Sequence, residues 1–184
     1  MTELELLARQ IDVNERTLRR AFNEGTLRAE RPTPRKLKID ATEKQYLRRS
    51  WKLLSTLRKA LRTEQNVRFA LLFGSAARGD DSEGSDVDLI VEMRDASSIR
   101  IVDLELKLEE LLGRRVDVLT LKDARANPVL VAEAVAEGRT IVDRETHRAQ
   151  LNSEAEAVGR RARRYLRERR RHALAKIEPQ GVKA

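Results

Sequence analysis

Apolar residues along the 184-residue chain recur with two spacings, the 3.6 of a helix and the 2 of a strand, and the changes between them mark out the elements. Leu4, Leu7 and Ile11 share one stripe and predict a short helix. Asp12-Val13-Asn14 breaks it, and Asn14 is placed to cap a second helix to about Glu24, closed by Gly25. In that helix Leu18 and Phe22 face inward, and Arg16, Thr17, Arg19, Arg20 and Asn23 lie largely outside. Arg31-Pro32-Thr33-Pro34-Arg35-Lys36 is a proline-punctuated basic loop, either a wing or a linker. A long helix follows, about Thr42 to Arg62, with Leu47, Trp51, Leu54 and Leu61 at helical spacing, joined by Leu53 and Leu57; Trp51 sits on that stripe as a packing anchor.

From Val67 the rhythm changes. Val67 to Phe73 is a β-branched and aromatic run that ends in Gly74-Ser75. The polar, glycine-rich segment Gly79 to Ser85 reads as a mobile loop, and Asp86-Val87-Asp88 then leads into Leu89-Ile90-Val91 as a second strand. Ser97 or Ser98 opens a helix to Leu112, with Ile101, Leu104, Leu108 and Leu111 on one face and Gly113 at its end. Arg114 to Leu121 is a third strand, Asn127-Pro128 starts a helix, Pro128 to Glu137, closed by Gly138, and Arg139 to Val142 is a last short strand. From about Thr146 to Glu178 the pattern is helical, with a narrow apolar seam of Leu151, Val158, Ala162, Tyr165, Leu166 and Leu174. These elements predict an α+β fold, a small mixed β-sheet with flanking helices. A helix-turn-helix region fills residues 1–63, the sheet domain 64–144, and a basic C-terminal helix and tail 145–184.

Charge sharpens that division. Residues 1–63 carry 16 basic and 8 acidic groups, residues 64–144 carry 11 and 17, and residues 145–184 carry 11 and 5. An acidic centre therefore lies between two basic flanks, which suit nucleic acid or an acidic protein partner. The helix-turn-helix pattern makes Arg16, Thr17, Arg19, Arg20 and Asn23 the candidate DNA contacts. Without cysteine there is neither a disulfide nor a thiolate metal site. No apolar run approaches the ~20 residues of a membrane span, and the acidic start MTELELLARQ is unlike a signal peptide. The expectation is a cytoplasmic protein without a membrane segment.

The chemistry concentrates at the two ends of the Gly74–Asp88 stretch. Alternate residues of a strand share a face, so Asp86 and Asp88 project together. Two such carboxylates repel unless a cation lies between them, and Mg²⁺ is the hard, oxygen-seeking choice. Gly74 lets backbone approach a ligand, and Ser75 adds a hydroxyl and an amide at a helix start. Metal carboxylates beside a phosphate grip are what nucleotidyl transfer requires. Asp80, Asp81 and Glu83 read as solvated loop charges, and Arg78 as a helix cap or the partner of a loop acid, with a phosphate contact as its other use. His147 and His172 have no metal-ligand spacing.

The stretch VRFALLFGSAARGDDSEGSDVDLIV resembles the DNA polymerase β-like nucleotidyltransferases, most closely the minimal ones. Their pattern of Gly-Ser, ten residues and Asp-x-Asp is met by Gly74-Ser75, Ala76 to Ser85, and Asp86-Val87-Asp88. Their third carboxylate, on a later strand, corresponds to Asp117 in Arg115-Val116-Asp117-Val118-Leu119. The resemblance spans roughly Val67 to Asp143. It implies a polymerase β-like core in which Asp86, Asp88 and Asp117 are catalytic and hold Mg²⁺, with Mn²⁺ the other candidate. Gly74 and Ser75 would bind a nucleoside triphosphate, ATP being the expected donor. It also implies an antitoxin that adds AMP to a tyrosine of a HEPN-type toxin encoded nearby. Two other readings stand beside it: a DNA-binding transcriptional regulator whose transferase domain senses nucleotide or is inactive, and a small-molecule nucleotidyltransferase.

Overall fold

The computed structural model describes residues 2–34, 36–82 and 84–177, with side chains through 174. In chain order the elements are α1 (Glu3–Gln10), α2 (Glu15–Asn23), β1 (Glu30–Thr33), β2 (Lys36–Lys38), α3 (Ala41–Thr63), β3 (Val67–Phe73), α4 (Gly74–Arg78), β4 (Val87–Met93), α5 (Ser98–Leu112), β5 (Val116–Thr120), α6 (Leu121–Ala124), α7 (Pro128–Glu137), β6 (Arg139–Asp143) and α8 (His147–Ile177). The main sheet has the order β5-β4-β3-β6, with β4 and β5 parallel and the other pairs antiparallel. This is the mixed sheet with flanking helices that the sequence predicts.

Strand alternation sorts the sheet into two faces. Ala70, Leu72, Val87, Leu89, Val91 and Val116 look toward α3 and α5, and Phe69, Leu71 and Ile90 toward α6, α7 and α8. The first core continues into the N-terminal segment, where Leu4, Leu7, Leu18 and Leu27 are buried in the same cluster as Leu54, Leu61 and Val142. Residues 1–63 thus share their interior with the sheet. Leu47, Leu54, Leu57 and Leu61 of α3 are fully buried, and Trp51 is buried on the same stripe. In α5 the buried residues are Leu104 and Leu108, whereas Leu111 is 54% exposed because it lies off the turn that meets the sheet.

Two of the helix signals work as the sequence implies, whereas Ser97, at the start of α5, makes no side-chain capping bond. Asn14 Oδ1 accepts from Thr17 N at 2.8 Å, and Asn127 Oδ1 from Val129 N and Leu130 N at 3.2 Å. At α8 the capping group lies upstream of the helix: the Asp143 carboxylate accepts from His147 N and Arg148 N, both at 3.0 Å. The basic loop is a short antiparallel hairpin, β1 with β2; Arg35 lies outside the described residues.

Polar groups tie the layers together. Arg139, 1% exposed at the start of β6, donates to Glu43 of α3 at 2.6 and 2.8 Å, to Ala77 O of α4 at 2.7 Å and to Thr26 O at 3.2 Å. Its guanidinium lies 3.5 Å from the Tyr46 ring centre, and Tyr46 Oη donates to Ala76 O at 3.0 Å. Burial pushes the Tyr46 hydroxyl up to about 12, against the pull of Arg139, so it stays a neutral donor. At the other side of the sheet, Glu105 and Glu109 of α5 accept from Val118 N and Val116 N of β5, both at 3.1 Å.

Candidate active site

The site is built where β3 ends and β4 begins. β3 carries the chain to Phe73, which pairs with Asp88 across the antiparallel ladder. The chain then turns at Gly74 with φ +68°, a conformation that L side chains rarely adopt, and enters α4. Space demands the glycine as well: a Cβ there would collide with Asp88 Oδ2 and come within 3.3 Å of its Cγ. The Gly-Ser turn and the second aspartate of Asp-x-Asp are therefore in contact, although 14 positions separate Gly74 from Asp88. We expect Gly74→Ala to cost about 1–2 kcal/mol for the left-handed backbone alone. It would also push Asp88 aside, so urea midpoints and transfer rate should fall together.

Asp117 joins them through the parallel pair. Asp88 and Asp117 are register partners on β4 and β5, about 4.8 Å apart across the ladder. Both stand on the face that carries Ile90 deeper in the sheet. Asp86 lies two residues before Asp88, just ahead of the strand. Burial holds the Asp88 carboxyl above its ordinary value, and the charges of Asp117 and Asp86 add to the effect; Arg78 acts the other way. The three expected carboxylates are thus electrostatic neighbours.

Among the described residues no three acidic or imidazole groups form a closed metal cage, so Asp86, Asp88 and Asp117 are not a ready-made three-ligand shell. Asp117 is exposed, and mutual repulsion keeps such groups apart. The donor set suits Mg²⁺ all the same, because that ion takes one or two carboxylates and completes its octahedron with water and substrate phosphates. An Asp88 made hard to ionise by burial first, and by Asp117 and Asp86 beside it, is a carboxylate that a cation would relieve.

The segment expected to be a mobile loop is bonded to the body at Gly79, Asp81 and Ser85. Asp81, whose side chain is 9% exposed, accepts from Arg114 at 2.9 Å and from Arg49 at 3.2 Å. Arg49 also donates to Gly79 O at 2.9 Å, and Arg114 to Ser85 O at 2.7 and 3.0 Å. Asp81 is thus a largely covered anchor and not a solvated charge, and the residue before Asp86 is gripped by Arg114, just ahead of the strand that bears Asp117. Sequence spacing gave no sign of this, because neither arginine belongs to the motif. Arg78 pairs with Asp80 at 3.1 Å and with Glu137 at 3.4 Å, as its structural reading predicts; Glu83 lies outside the described residues.

The candidate DNA contacts of α2 lie far from this site, and most are engaged within the fold. Arg19 bonds to Glu15 at 2.6 Å, Arg20 to Glu24 at 2.8 Å, and Asn23 accepts from Arg31 at 2.6 Å. Thr17 bonds to Asn14, and Arg16 is exposed. A groove of about 650 Å³ between α2, β6 and α8 sits at the opposite end of the sheet from the aspartates.

Comparison with known families matches residues 55–147 to "Polymerase beta, Nucleotidyltransferase". Over 82 residues the chain is 40% identical to the protein adenylyltransferase MntA of Thermococcus cleftensis, covering 42% of this chain and 83% of that protein. Over 79 residues it is 35% identical to a putative protein adenylyltransferase of Methanocaldococcus jannaschii, covering 42% and 80%. Among solved structures, one chain of a toxin–antitoxin crystallised with AMP-PNP shares the fold, with a TM-score of 0.52, 23% identity, and coverage of 68% of this chain and 98% of that one.

Proposed function

Since the chain belongs to the Polymerase beta nucleotidyltransferase family, its acidic sheet end is the place to look for the chemistry, and we propose that it transfers AMP from ATP to a hydroxyl of a partner protein and so acts as an antitoxin. The observation that carries this reading is the in-register pair Asp88 and Asp117, with Asp88 packed against the Gly74 turn. Identity to protein adenylyltransferases over the same segment supports a protein as acceptor. A tyrosine of a HEPN-type toxin is the acceptor that the sequence resemblance implies.

Each residue then has a task. Asp86 and Asp88 would hold Mg²⁺, with Asp117 completing the acidic rim; the ion would neutralise triphosphate charge and polarise the α-phosphoryl group. The N–H groups of the first turn of α4 have no partners within the helix, and with Ser75 Oγ they would hold the outer phosphates. Asp117, exposed at the sheet edge, would take the proton of the incoming hydroxyl as oxygen attacks the α-phosphorus and pyrophosphate leaves. The anchored loop keeps Asp86 in place without rearrangement during the reaction.

Incubation with ATP, Mg²⁺ and the product of the neighbouring gene, followed by mass spectrometry of both proteins, tests the proposal. A gain of AMP on the partner is the expected result. A partner of unchanged mass, with ATP consumed and AMP found on a small molecule instead, would overturn the protein acceptor.

A further inference from the structure

Helix α8 has two halves with different surroundings. Leu151, Val158 and Ala162 are buried against α7 and the sheet, and beyond Ala162 every described side chain through Leu174 is exposed. The helix therefore runs on for about 22 Å past the body, at 1.5 Å per residue. It lies beyond the segment shared with the polymerase β family, which ends at residue 147.

This free half is dense in arginine. Residues 159–176 hold nine basic groups against Glu168 alone. At 3.6 residues per turn, Arg160, Arg163, Arg164, Arg167, Arg170 and Arg171 fall within an arc of about 120°. Leu151, Val158 and Ala162 define the inward direction, and the arginine arc points the opposite way. Arg160 pairs with Glu156 at 2.7 Å; the other five have no ion pair among the described residues. Like charges at i,i+3 and i,i+4 weaken a helix, so the stripe is a standing cost unless a polyanion offsets it.

We propose that this stripe binds the phosphate backbone of double-stranded DNA, without sequence preference. Arginine grips phosphate with paired N–H groups, and a row about 17 Å long faces some ten duplex charges at one per ~1.7 Å. No apolar anchor of the kind that centres a protein interface falls within the arc between Arg160 and Arg171. Single-strand binders use aromatic stacking platforms, and the arc has none. The major groove of duplex RNA is too narrow for a helix, whereas the ~12 Å groove of B-DNA admits one. Past Ala162 the described side chains of α8 are exposed, which leaves the arginine arc open to such a groove. DNA binding is thereby assigned to α8 and not to α2, whose arginines Arg19 and Arg20 are bonded to glutamates of their own segment.

The test is fluorescence anisotropy of the full chain with a labelled mixed-sequence duplex DNA of about two helical turns. Salt is varied between roughly 50 and 200 mM, and the expected log–log slope is about −5 for six contacts. The triple variant Arg163→Gln, Arg167→Gln, Arg170→Gln keeps helix propensity, which circular dichroism checks. It should make the slope shallower by about 3 and weaken binding by roughly 100-fold, with nucleotidyl transfer unchanged. The Arg16→Gln, Arg20→Gln variant should bind as the parent does. The proposal fails if the parent shows no binding at low salt, if the triple variant binds equally, if duplex RNA or single-stranded DNA binds as tightly, or if the α2 variant alone loses the DNA.

Discussion

Asp88→Asn is expected to remove nucleotidyl transfer, with a loss of about 10³-fold or more, while the melting temperature should stay level or rise. The loss follows because Asp88 is the carboxylate that meets all the others: it contacts the Gly74 turn and pairs in register with Asp117. Removing a group that holds transition-state charge in phosphoryl chemistry costs several kcal/mol. The stability half follows from electrostatics. Burial, Asp117 and Asp86 hold the Asp88 carboxyl above its ordinary value, so the folded, metal-free protein binds a proton there more tightly than the unfolded chain. Stability therefore falls as pH rises from the ordinary carboxylate value through the raised one, and above it the strain persists. Asparagine, nearly isosteric and neutral, relieves it. A gain of ~1 kcal/mol would raise the melting temperature by about 2–4 °C in a chain of this size. The measurements are AMP incorporation from α-labelled ATP and calorimetric melting without metal. Retained incorporation would remove Asp88 from the mechanism, and a large drop in melting temperature would make it a structural residue.

Arg139→Ala should be the most destabilising single change, by about 3–5 kcal/mol. It leaves the Glu43 carboxylate, 4% exposed, without its counter-charge, and strips donors from Ala77 O and Thr26 O. Against a total stability of about 5–15 kcal/mol, such a loss unfolds a sizeable share of the protein near body temperature. Urea titration would give the magnitude. The double change Glu43→Leu, Arg139→Leu separates the causes, since replacing both charges by packed apolar groups is often near neutral. Full recovery of stability with transfer still impaired would show that Arg139 serves chiefly to seat α4, whose Ala77 carbonyl it holds.

What the sequence revealed and what it hid divide along physical lines. The spacing from Gly74-Ser75 to Asp86 and Asp88, and the strand bearing Asp117, were legible because alternation is local: one residue in two faces one side. The helix caps Asn14 and Asn127 were legible for the same reason. The Arg139–Glu43 pair was not, because its partners lie 96 positions apart and a charge at a strand start carries no mark of burial. Asp81 looked solvated because loop acids usually are, and only its partners on α3 and ahead of β5 reveal the anchor. The shared interior of residues 1–63 and the sheet was hidden too, since an apolar stripe does not say what will cover it.

The carboxylates of Glu105 and Glu109 on the outer N–H groups of β5 determine how this molecule meets its neighbours. A bare rim strand invites any extended peptide to add itself as a further rung, the first step to fibrils. Here those two donors are taken, and on the opposite rim Gly25 O occupies Thr140 N at 3.1 Å. Recruitment by strand addition is therefore obstructed on both sides, and association is left to side-chain surfaces. The protection on the β5 side rests on two side chains of α5, so Glu105→Ala, Glu109→Ala would bare that rim and make the variant the form that starts to aggregate.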